Sequence, residues 1–496
     1  MEPHLETTIA ACISDLRPKE RRMTFAGLAS DSREVLPGYL FAALPGTQSD
    51  GGAFIVEAVR RGAATVLGLP ALRAKAEALG VRFIADENPR RKLALLAAEH
   101  FGAQPETVAA ITGTNGKTSV SVFLRQVWEE QGHLAASMGT IGLVGPKRTT
   151  SLHHTTPDAI ALHRLLAELQ EDGVEHLALE ASSHGLDQFR LDGVKIAAAA
   201  FTNLTHDHLD YHGDFARYLA AKLRLFRELV VDGGLAVVSA DAEHAGHFIE
   251  AARSRNLRLM TVGERGEDVH LVARAPAPDV QQLQIEYGGR LFSVSLPLAG
   301  SFQASNALVA AALAIGLGAS AEHVFPALQL LKGAPGRLEK VAYARSGAPI
   351  YVDYAHTPDA LETVLNALRP HVQQRLRLVF GCGGDRDRAK RPVMGAIAAH
   401  LADAIIVTDD NPRTENPAEI RTAILASCSG AQEIGDRAEA IRAGIAALES
   451  GDILVIAGKG HESGQITGTD VRPFLDSDEA IKAALAQGGR AAGAKA

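Results

Sequence analysis

Apolar residues recur along this chain with two periods, and the order of those periods predicts the architecture. TVAAIT (107–112), HLALEAS, IAAAAFTNL and LAVVSA are short apolar runs bounded by turn-forming residues, so they read as strands. Between them the spacing is helical, beginning with a helix from Lys117 to about Gln131. Strand and helix in alternation predict a mostly parallel sheet with both faces covered. LQIEYGGRLFSVSLPLAG breaks that rhythm. It predicts an antiparallel hairpin turning at Gly288-Gly289, followed by a helix from about Gln303 to Leu317.

Glycine and proline punctuate the chain into three α/β segments. Residues 1–104 mix the runs TFAGLA, YLFAAL and ATVLGL with two alanine-rich helical stretches and end at FGAQPE. Residues 105–338 carry the parallel sheet and the hairpin. Beyond GAPGRLEKV, residues 339–496 form a second α/β alternation with strands APIYVDYA, LRLVFGC, AIIVTDD and ILVIAGK. Ligands bind outside the carboxyl ends of strands in such sheets, and DYAHTPDA, GCGGDRDRAKRP, DDNPRTENP and AGKGHE all fall there.

One helical stripe holds an anomaly. In FARYLAAKLRLFREL and the residue after it, Phe215, Leu219, Leu223, Phe226 and Val230 line one face, and Lys222 lies at the same angle. By helix pattern alone snorkelling is the commoner outcome, with the stem on apolar surface and the ammonium in water. A lysine forced into such a place instead has a depressed pKa. Its neutral amine can combine with carbon dioxide, and the resulting carbamate is a carboxylate-like ligand for magnesium.

At 496 residues the chain exceeds one ordinary core, and 46% hydrophobic with 22% charged residues describes a globular protein. A net charge of −8 argues against sequence-independent nucleic-acid binding, which needs a basic face, but admits an anionic small substrate held by local arginines. The opening MEPHLETTIAACISDLRPKE does not resemble a secretory signal, and no run reaches the roughly 18 apolar residues of a membrane span. Cys12, Cys382 and Cys428 are odd in number and far apart, a reducing-compartment pattern that predicts a cytoplasmic protein.

The loop Thr112-Gly113-Thr114-Asn115-Gly116-Lys117-Thr118 joins a strand to a helix, with two residues fewer between its glycines than the usual phosphate loop. Backbone N–H groups at such a junction make an anion site. Lys117 is placed to neutralise β/γ-phosphate charge and Thr118 to reach a magnesium ion. Glu180 ends the strand HLALE, and Asp207, His208 and Asp210 follow the next strand, so oxygen and imidazole donors gather at consecutive strand ends. Taken singly, each has an equally ordinary reading as a capping acid or a hydrogen-bonded histidine.

GTNGKT, Glu180, NLTHDHLDYHG and DYAHTPDAL together resemble the Mur ligases, ATP-dependent amide-forming enzymes of peptidoglycan synthesis. The resemblance runs from DSREVLPGYLF at 31–41 to AGKGHE at 457–462, and EASSHGLDQFR, GCGGDRDRAKRP and DDNPRTENP resemble the member that adds the third amino acid. It implies three domains: an N-terminal one for the UDP portion, a central ATPase domain and a C-terminal Rossmann-like domain. The implied activity transfers the γ-phosphoryl of ATP to the terminal carboxylate of UDP-N-acetylmuramoyl-L-alanyl-D-glutamate, and the amine of meso-diaminopimelate then attacks the acyl phosphate. That places the enzyme in cytoplasmic cell-wall precursor synthesis, on which cell shape and division depend. It is expected to act as a monomer.

The resemblance also implies residue roles. Thr118, Glu180, His208 and carbamylated Lys222 match the Mg2+ site, with Lys117 on the phosphates. Asn306 matches the adenine contact, Arg337 and Asp353 nucleotide contacts, and His356 a neighbour of the phosphates. For the UDP substrate the matches are Ser30, Ser32, Thr47, Gln48, Ser49, His154, Thr155, Thr156, Ser182, Gln188 and Arg190. Turn and cap chemistry explains the serines and threonines near residues 30–49 equally well, whereas the fork of Arg190 suits a carboxylate or phosphate. For the amino acid the matches are Arg386, Asp410, Asn411, Pro412, Arg413, Gly458 and Glu462. Arg413 meets the distal carboxylate of diaminopimelate, and Asp410 and Glu462 its ammonium.

L-Lysine lacks that distal carboxylate and would leave Arg413 buried without a partner, a loss on the order of a thousandfold. His154, Gln303 and His206 depart from residues common in relatives. The rival readings are lysine addition, a folylpolyglutamate synthase sharing the ATPase core, and a nucleotide-driven switch or transport ATPase. AGKGHE is not a second phosphate loop, because no Ser or Thr follows its lysine.

Overall fold

The computed structural model describes residues 25–46 and 50–493. Thr47, Gln48 and Ser49 lie outside the described residues. The chain forms two compact units, Met1–Val262 with Ala312–Ala319, and Gly263–Ala311 with Ser320–Ala496.

The first unit contains two sheets. Strands Leu28–Ala29, Leu40–Ala43, Thr65–Gly68 and Arg82–Ala85 pair in parallel in that order. Apolar clusters cover both faces, one around Phe41 and Ile55, the other around Leu40, Leu67 and Leu96. The second sheet runs Arg258–Gly263, Val230–Ser239, Ile196–Phe201, Thr107–Thr112, His176–Glu180, Ala135–Gly139, Gly142–Val144 and Thr149–Thr150. Its first six strands are parallel and its last two antiparallel. The strand Thr107–Thr112 lies between His176–Glu180 and Ile196–Phe201, with Ile111 opposite Glu180 and Thr112 opposite Phe201. The loop that follows it therefore opens between the carboxyl ends of both neighbours.

Two sequence expectations change here. The helix bearing Lys222 spans only Phe215–Arg224; a π-helical turn, Leu225–Leu229, follows, and Val230 opens a strand. The apolar stripe therefore ends before Val230, whose side chain is buried by the sheet. Lys222 does not snorkel: it is 1% exposed.

In the second unit, Val269–Pro276, Gln281–Tyr287 and Arg290–Leu296 form an antiparallel meander. Gly288 and Gly289 both have positive φ, as the expected hairpin turn requires. The hairpin pattern predicts the second and third of these strands but not the first. The helix Ser301–Gly316 follows.

Besides the two-stranded ribbon Gly464–Thr467 with Asp470–Pro473, the main sheet of this unit runs Gln432–Glu433, Ala404–Val407, Leu376–Phe380, Ile453–Ala457, Pro349–Asp353, Glu339–Tyr343 and Arg490–Ala491. Its first five strands are parallel, and apolar clusters around Phe380 and around Ile456 cover it. The four sequences singled out for this region emerge at carboxyl ends of the parallel strands, as expected. No helix among the described residues is long and apolar enough to cross a membrane.

Candidate active site

In the first unit the strand Thr107–Thr112 hands over to the helix Lys117–Glu130 through the glycine loop. Gly113 has φ +152°, and a Cβ there would collide with Thr202 Oγ1, so the loop tolerates no side chain at that point. The segment after the neighbouring strand staples the loop. Thr114 N donates to Asn203 O (2.8 Å), Asn115 N to Asn203 Oδ1 (2.9 Å), and Thr202 Oγ1 to Asn115 O (2.6 Å). Thr114 Oγ1 donates to Thr205 O (3.2 Å) and lies 2.9 Å from Tyr218 Oη. Lys117 Nζ curls back onto Gly113 O and Thr114 O, both at 2.8 Å.

Lys222 reaches the same loop from the other side. Its Nζ donates to Gly113 O at 2.8 Å and sits 4.6 Å from the centre of the Tyr218 ring. Burial pushes its pKa well below the usual lysine range and the charge of Lys117 adds to the fall, while Asp207 opposes it. The amine is thereby biased toward its neutral, nucleophilic form.

Glu180, 1% exposed, accepts from Thr140 N (2.9 Å) and Thr140 Oγ1 (3.1 Å). Thr118 is buried in the first turn of the loop's helix. His208 has φ +53° and lies 3.4 Å from Asp207; its ring meets His184 edge-on at 4.9 Å. Asp210 lies on the one-turn helix Leu209–His212. Burial pushes His184 down to about 4, with the neighbouring His208 and His212 adding to the shift.

A polar platform adjoins Glu180. Thr156 Oγ1 donates to Glu180 O (2.8 Å) and also lies 3.0 Å from Ser182 Oγ, which caps Gly185 N at 3.0 Å. Thr155 Oγ1 is 3.1 Å from Thr140 Oγ1. Arg190 donates through Nη1 to Thr156 O (2.7 Å) and through Nη2 to Gln188 Oε1 (2.8 Å); Gln188 in turn donates to Tyr211 Oη (3.0 Å). No carboxylate among the described residues pairs with Arg190, so its half-buried charge is available to an anion. His154 is close enough to Arg190 for that charge, after burial, to hold the imidazole below its usual pKa. His206 packs its ring against Phe215 at 5.3 Å. Ser32 is buried and donates to Glu57 Oε2 (3.2 Å), whereas Ser30 is exposed.

The second unit gathers two further groups. Asn306 Nδ2 donates to Gln303 Oε1 (3.2 Å), and Gln303 Nε2 donates to Arg337 O (2.8 Å), so the departure at Gln303 orients Asn306. Arg337 stacks 4.8 Å over Tyr354. Asp353 accepts from Leu338 N (2.6 Å) and Ala355 N (2.8 Å), and burial raises its pKa to about 6 against the pull of Arg337. His356 is exposed, with Nδ1 2.9 Å from Tyr354 O.

DNPR forms the other group. Asn411 Nδ2 donates to Glu462 Oε2 (2.8 Å), and Asn411 Oδ1 accepts from Ile466 N (3.0 Å) and Lys459 Nζ (3.0 Å). Lys459, fully buried, also donates to Gly464 O at 2.7 Å. Gly458 has φ +117°, and a Cβ there would sit 2.7 Å from Asp410 Oδ2. Pro412 is buried. Arg413 has φ +52° and donates through Nη1 to Gly384 O (2.8 Å); among the described residues no other nitrogen of its guanidinium is bonded. It is half-buried rather than enclosed. Arg386 is exposed beside it on the GGDRD loop, which Asp385 ties to Thr414 (2.7 Å).

Sequence reading missed Thr140, Thr202, Asn203, Tyr218 and Lys459. Thr202 and Asn203 carried a signal, since polar residues directly after a buried strand lie at the ligand end of the sheet. Lys459 stands in AGKGHE, whose likeness to a phosphate loop hides its buried structural role.

Comparison with known proteins covers almost the whole chain. Residues 24–101 match the Mur ligase family catalytic domain, 111–314 the Mur ligase middle domain, and 336–460 the Mur ligase glutamate ligase domain. The UDP-N-acetylmuramoyl-L-alanyl-D-glutamate–2,6-diaminopimelate ligase of Bradyrhizobium diazoefficiens is 57% identical over 475 residues, 95% of this chain and 97% of that protein. The protein of the same name from Caulobacter vibrioides is 52% identical over 479 residues, covering 95% and 98%. A solved structure of a ligase of that name superposes with a TM-score of 0.73 at 34% identity, over 95% of this chain and 97% of the other. With three domain matches in order and half or more of its residues shared with such relatives, the chain belongs to the Mur ligase family.

Proposed function

We propose that this protein is the ATP-dependent ligase that adds meso-diaminopimelate to UDP-N-acetylmuramoyl-L-alanyl-D-glutamate in cytoplasmic peptidoglycan precursor synthesis. The observation that carries the reading is the 57% identity, over 95% of the chain, to a ligase of that name. The reaction converts a poor electrophile into a good one. A carboxylate oxygen of the bound dipeptide attacks the γ-phosphorus of ATP and ADP leaves. The amine of diaminopimelate then adds to the acyl phosphate, loses a proton, and the tetrahedral intermediate expels inorganic phosphate.

In this reading the glycine loop and Lys117 hold the phosphates, and Asn306, Arg337 and Asp353 contact the nucleotide. Arg190, with Gln188, Thr155, Thr156, Ser182 and His154, holds the anionic end of the UDP substrate; Ser30, Ser32 and residues 47–49 serve its uridine portion. Positioning and charge neutralisation supply most of the rate. The residues fit a magnesium site: a buried carboxylate, Glu180, fixed by two donors, the buried Thr118 at a helix start, His208, and a buried amine, Lys222, with a depressed pKa. Magnesium, when bound there, neutralises phosphate charge. Lys222 joins that set by adding to carbon dioxide through its neutral amine, forming the N–C bond of a carbamate and releasing one proton.

Asp410, Glu462 and Arg413, with Asn411, Pro412, Gly458 and Arg386, receive the far end of diaminopimelate. The half-buried guanidinium of Arg413 has donors left for a carboxylate that lysine does not possess. The functional division into segments 1–104, 105–338 and 339–496 belongs to the same reading, as does action as a monomer.

The test supplies diaminopimelate and L-lysine in parallel with an oxygen-labelled dipeptide, detecting products by mass. Label should pass into inorganic phosphate, and diaminopimelate should be preferred about 10–100-fold, the worth of a charge-assisted bond to a half-buried guanidinium. Preference for lysine sinks the specificity assignment. Turnover without label transfer sinks the acyl phosphate, and ATP hydrolysis indifferent to any acceptor sinks the ligase.

A further inference from the structure

We propose that His133, Glu175 and His176 form a binding site for a transition-metal ion of the zinc class, at the amino ends of the first unit's strands. The site lies at the opposite end of the sheet from the glycine loop. His176 opens the strand His176–Glu180 and stands opposite Ala135, so His133 is two residues ahead of the neighbouring strand. The backbone there is fixed: Glu175 N and His176 N both donate to Leu134 O, at 2.8 and 3.3 Å, and His133 N donates to Trp128 O at 3.0 Å.

The three donor atoms lie within 4.8 Å of one another. His133 Nδ1 is 3.0 Å and His176 Nδ1 4.0 Å from Glu175 Oε2. A tetrahedral ion with bonds near 2.1 Å needs donors about 3.4 Å apart, a spacing these distances bracket. A plain hydrogen bond between His133 and Glu175 accounts for those two side chains but not for the third. His176 Nδ1 is buried and has no hydrogen-bond partner. An ion seated against Glu175 satisfies it. Two imidazole nitrogens with one carboxylate select zinc, copper or nickel over magnesium, which prefers an all-oxygen shell. The exposed face leaves a coordination position for water.

The ion would staple the turn before Ala135–Gly139 to the strand whose far end bears Glu180. Binding to the folded state alone then raises the melting temperature.

The chain carries a built-in reporter. Trp128 is its only tryptophan, is buried, and packs 4.9 Å from the His176 ring. Full-length protein cleared of metals by chelation is titrated with Cu2+ in excess Mg2+ while Trp128 fluorescence is followed. Saturable quenching is expected, reversed by Zn2+ only in large excess because Cu2+ binds such a site more tightly, with Zn2+ alone raising the melting temperature. His133→Gln, at a side chain 41% exposed, keeps the fold and should weaken Cu2+ by roughly tenfold or more, since even outer partners of metal ligands are worth 10–100-fold. His176→Gln should do the same. Equal quenching midpoints in wild type and His133→Gln overturn the site, as does suppression of the Cu2+ quenching by the excess Mg2+. If His176→Gln fails to fold, His133→Gln decides by itself.

Discussion

Replacing Lys222 by methionine should cost activity without costing stability. The side chain keeps nearly the same length and volume, so the packing around Tyr218 and the loop is retained. What goes is an amine buried to 1% exposure whose charged form is strongly disfavoured there. One hydrogen bond of about 1 kcal/mol is lost, that from Nζ to Gly113 O. Gly113 O is not orphaned, because Lys117 Nζ also donates to it at 2.8 Å. Removal of the desolvated amine offsets that loss, so the melting temperature should hold or rise.

Ligation should instead fall by about 10²–10³, the loss of a preorganised group that stabilises transition-state charge, worth about 3–4 kcal/mol. Coupled release of ADP in saturating magnesium, alongside thermal melts, measures both. In Lys222→Ala, bicarbonate should restore part of the activity by supplying a small carboxylate substitute. A methionine variant within a factor of about three of wild type would refute the catalytic role, since that is under 1 kcal/mol. A marked drop in melting temperature would make Lys222 a structural residue.

Arg413→Ala should raise KM for diaminopimelate by about tenfold or more, a lost charged hydrogen bond, and leave ATP affinity unchanged; steady-state kinetics with each substrate varied decides. Arg190→Met should do the same to the UDP substrate alone. Gly113→Ala forces a Cβ onto Thr202 and should abolish nucleotide binding in a fluorescent-ATP titration, and near-normal binding would count against the loop geometry. His163 is buried with Nε2 2.9 Å from Asp192 O, and burial holds its pKa at about 4 against an ordinary 6.5. The unfolded chain then takes up a proton that the folded one refuses. Its contribution is fully present above pH 6.5 and is lost as pH falls toward 4, by about 3 kcal/mol. Urea melts at pH 7 and pH 4.5 should show this loss shrinking in His163→Gln.

Local pattern sufficed wherever the backbone period itself carries the information. TVAAIT, the helix after it and the hairpin at Gly288-Gly289 are legible because strand, helix and type I′ turn each demand particular residues within a few positions. Ala135–Gly139, reading AASMG, lacks β-branched residues and becomes a strand only because His176–Glu180 is there to pair with it. Lys222 makes the same point about chemistry. Its helical angle fits a snorkelling side chain as well as a buried one, and the choice was made by a glycine loop 109 residues earlier in the chain, whose carbonyl it meets. The roles of Thr140, Thr202 and Asn203, and the bond from Lys459 to Asn411, likewise exist only across long stretches of chain. By itself the sequence determined which segments coil, which extend and which residues carry reactive groups. Strand order and register decided which groups meet, because pairing between distant strands depends on partners that no local window contains.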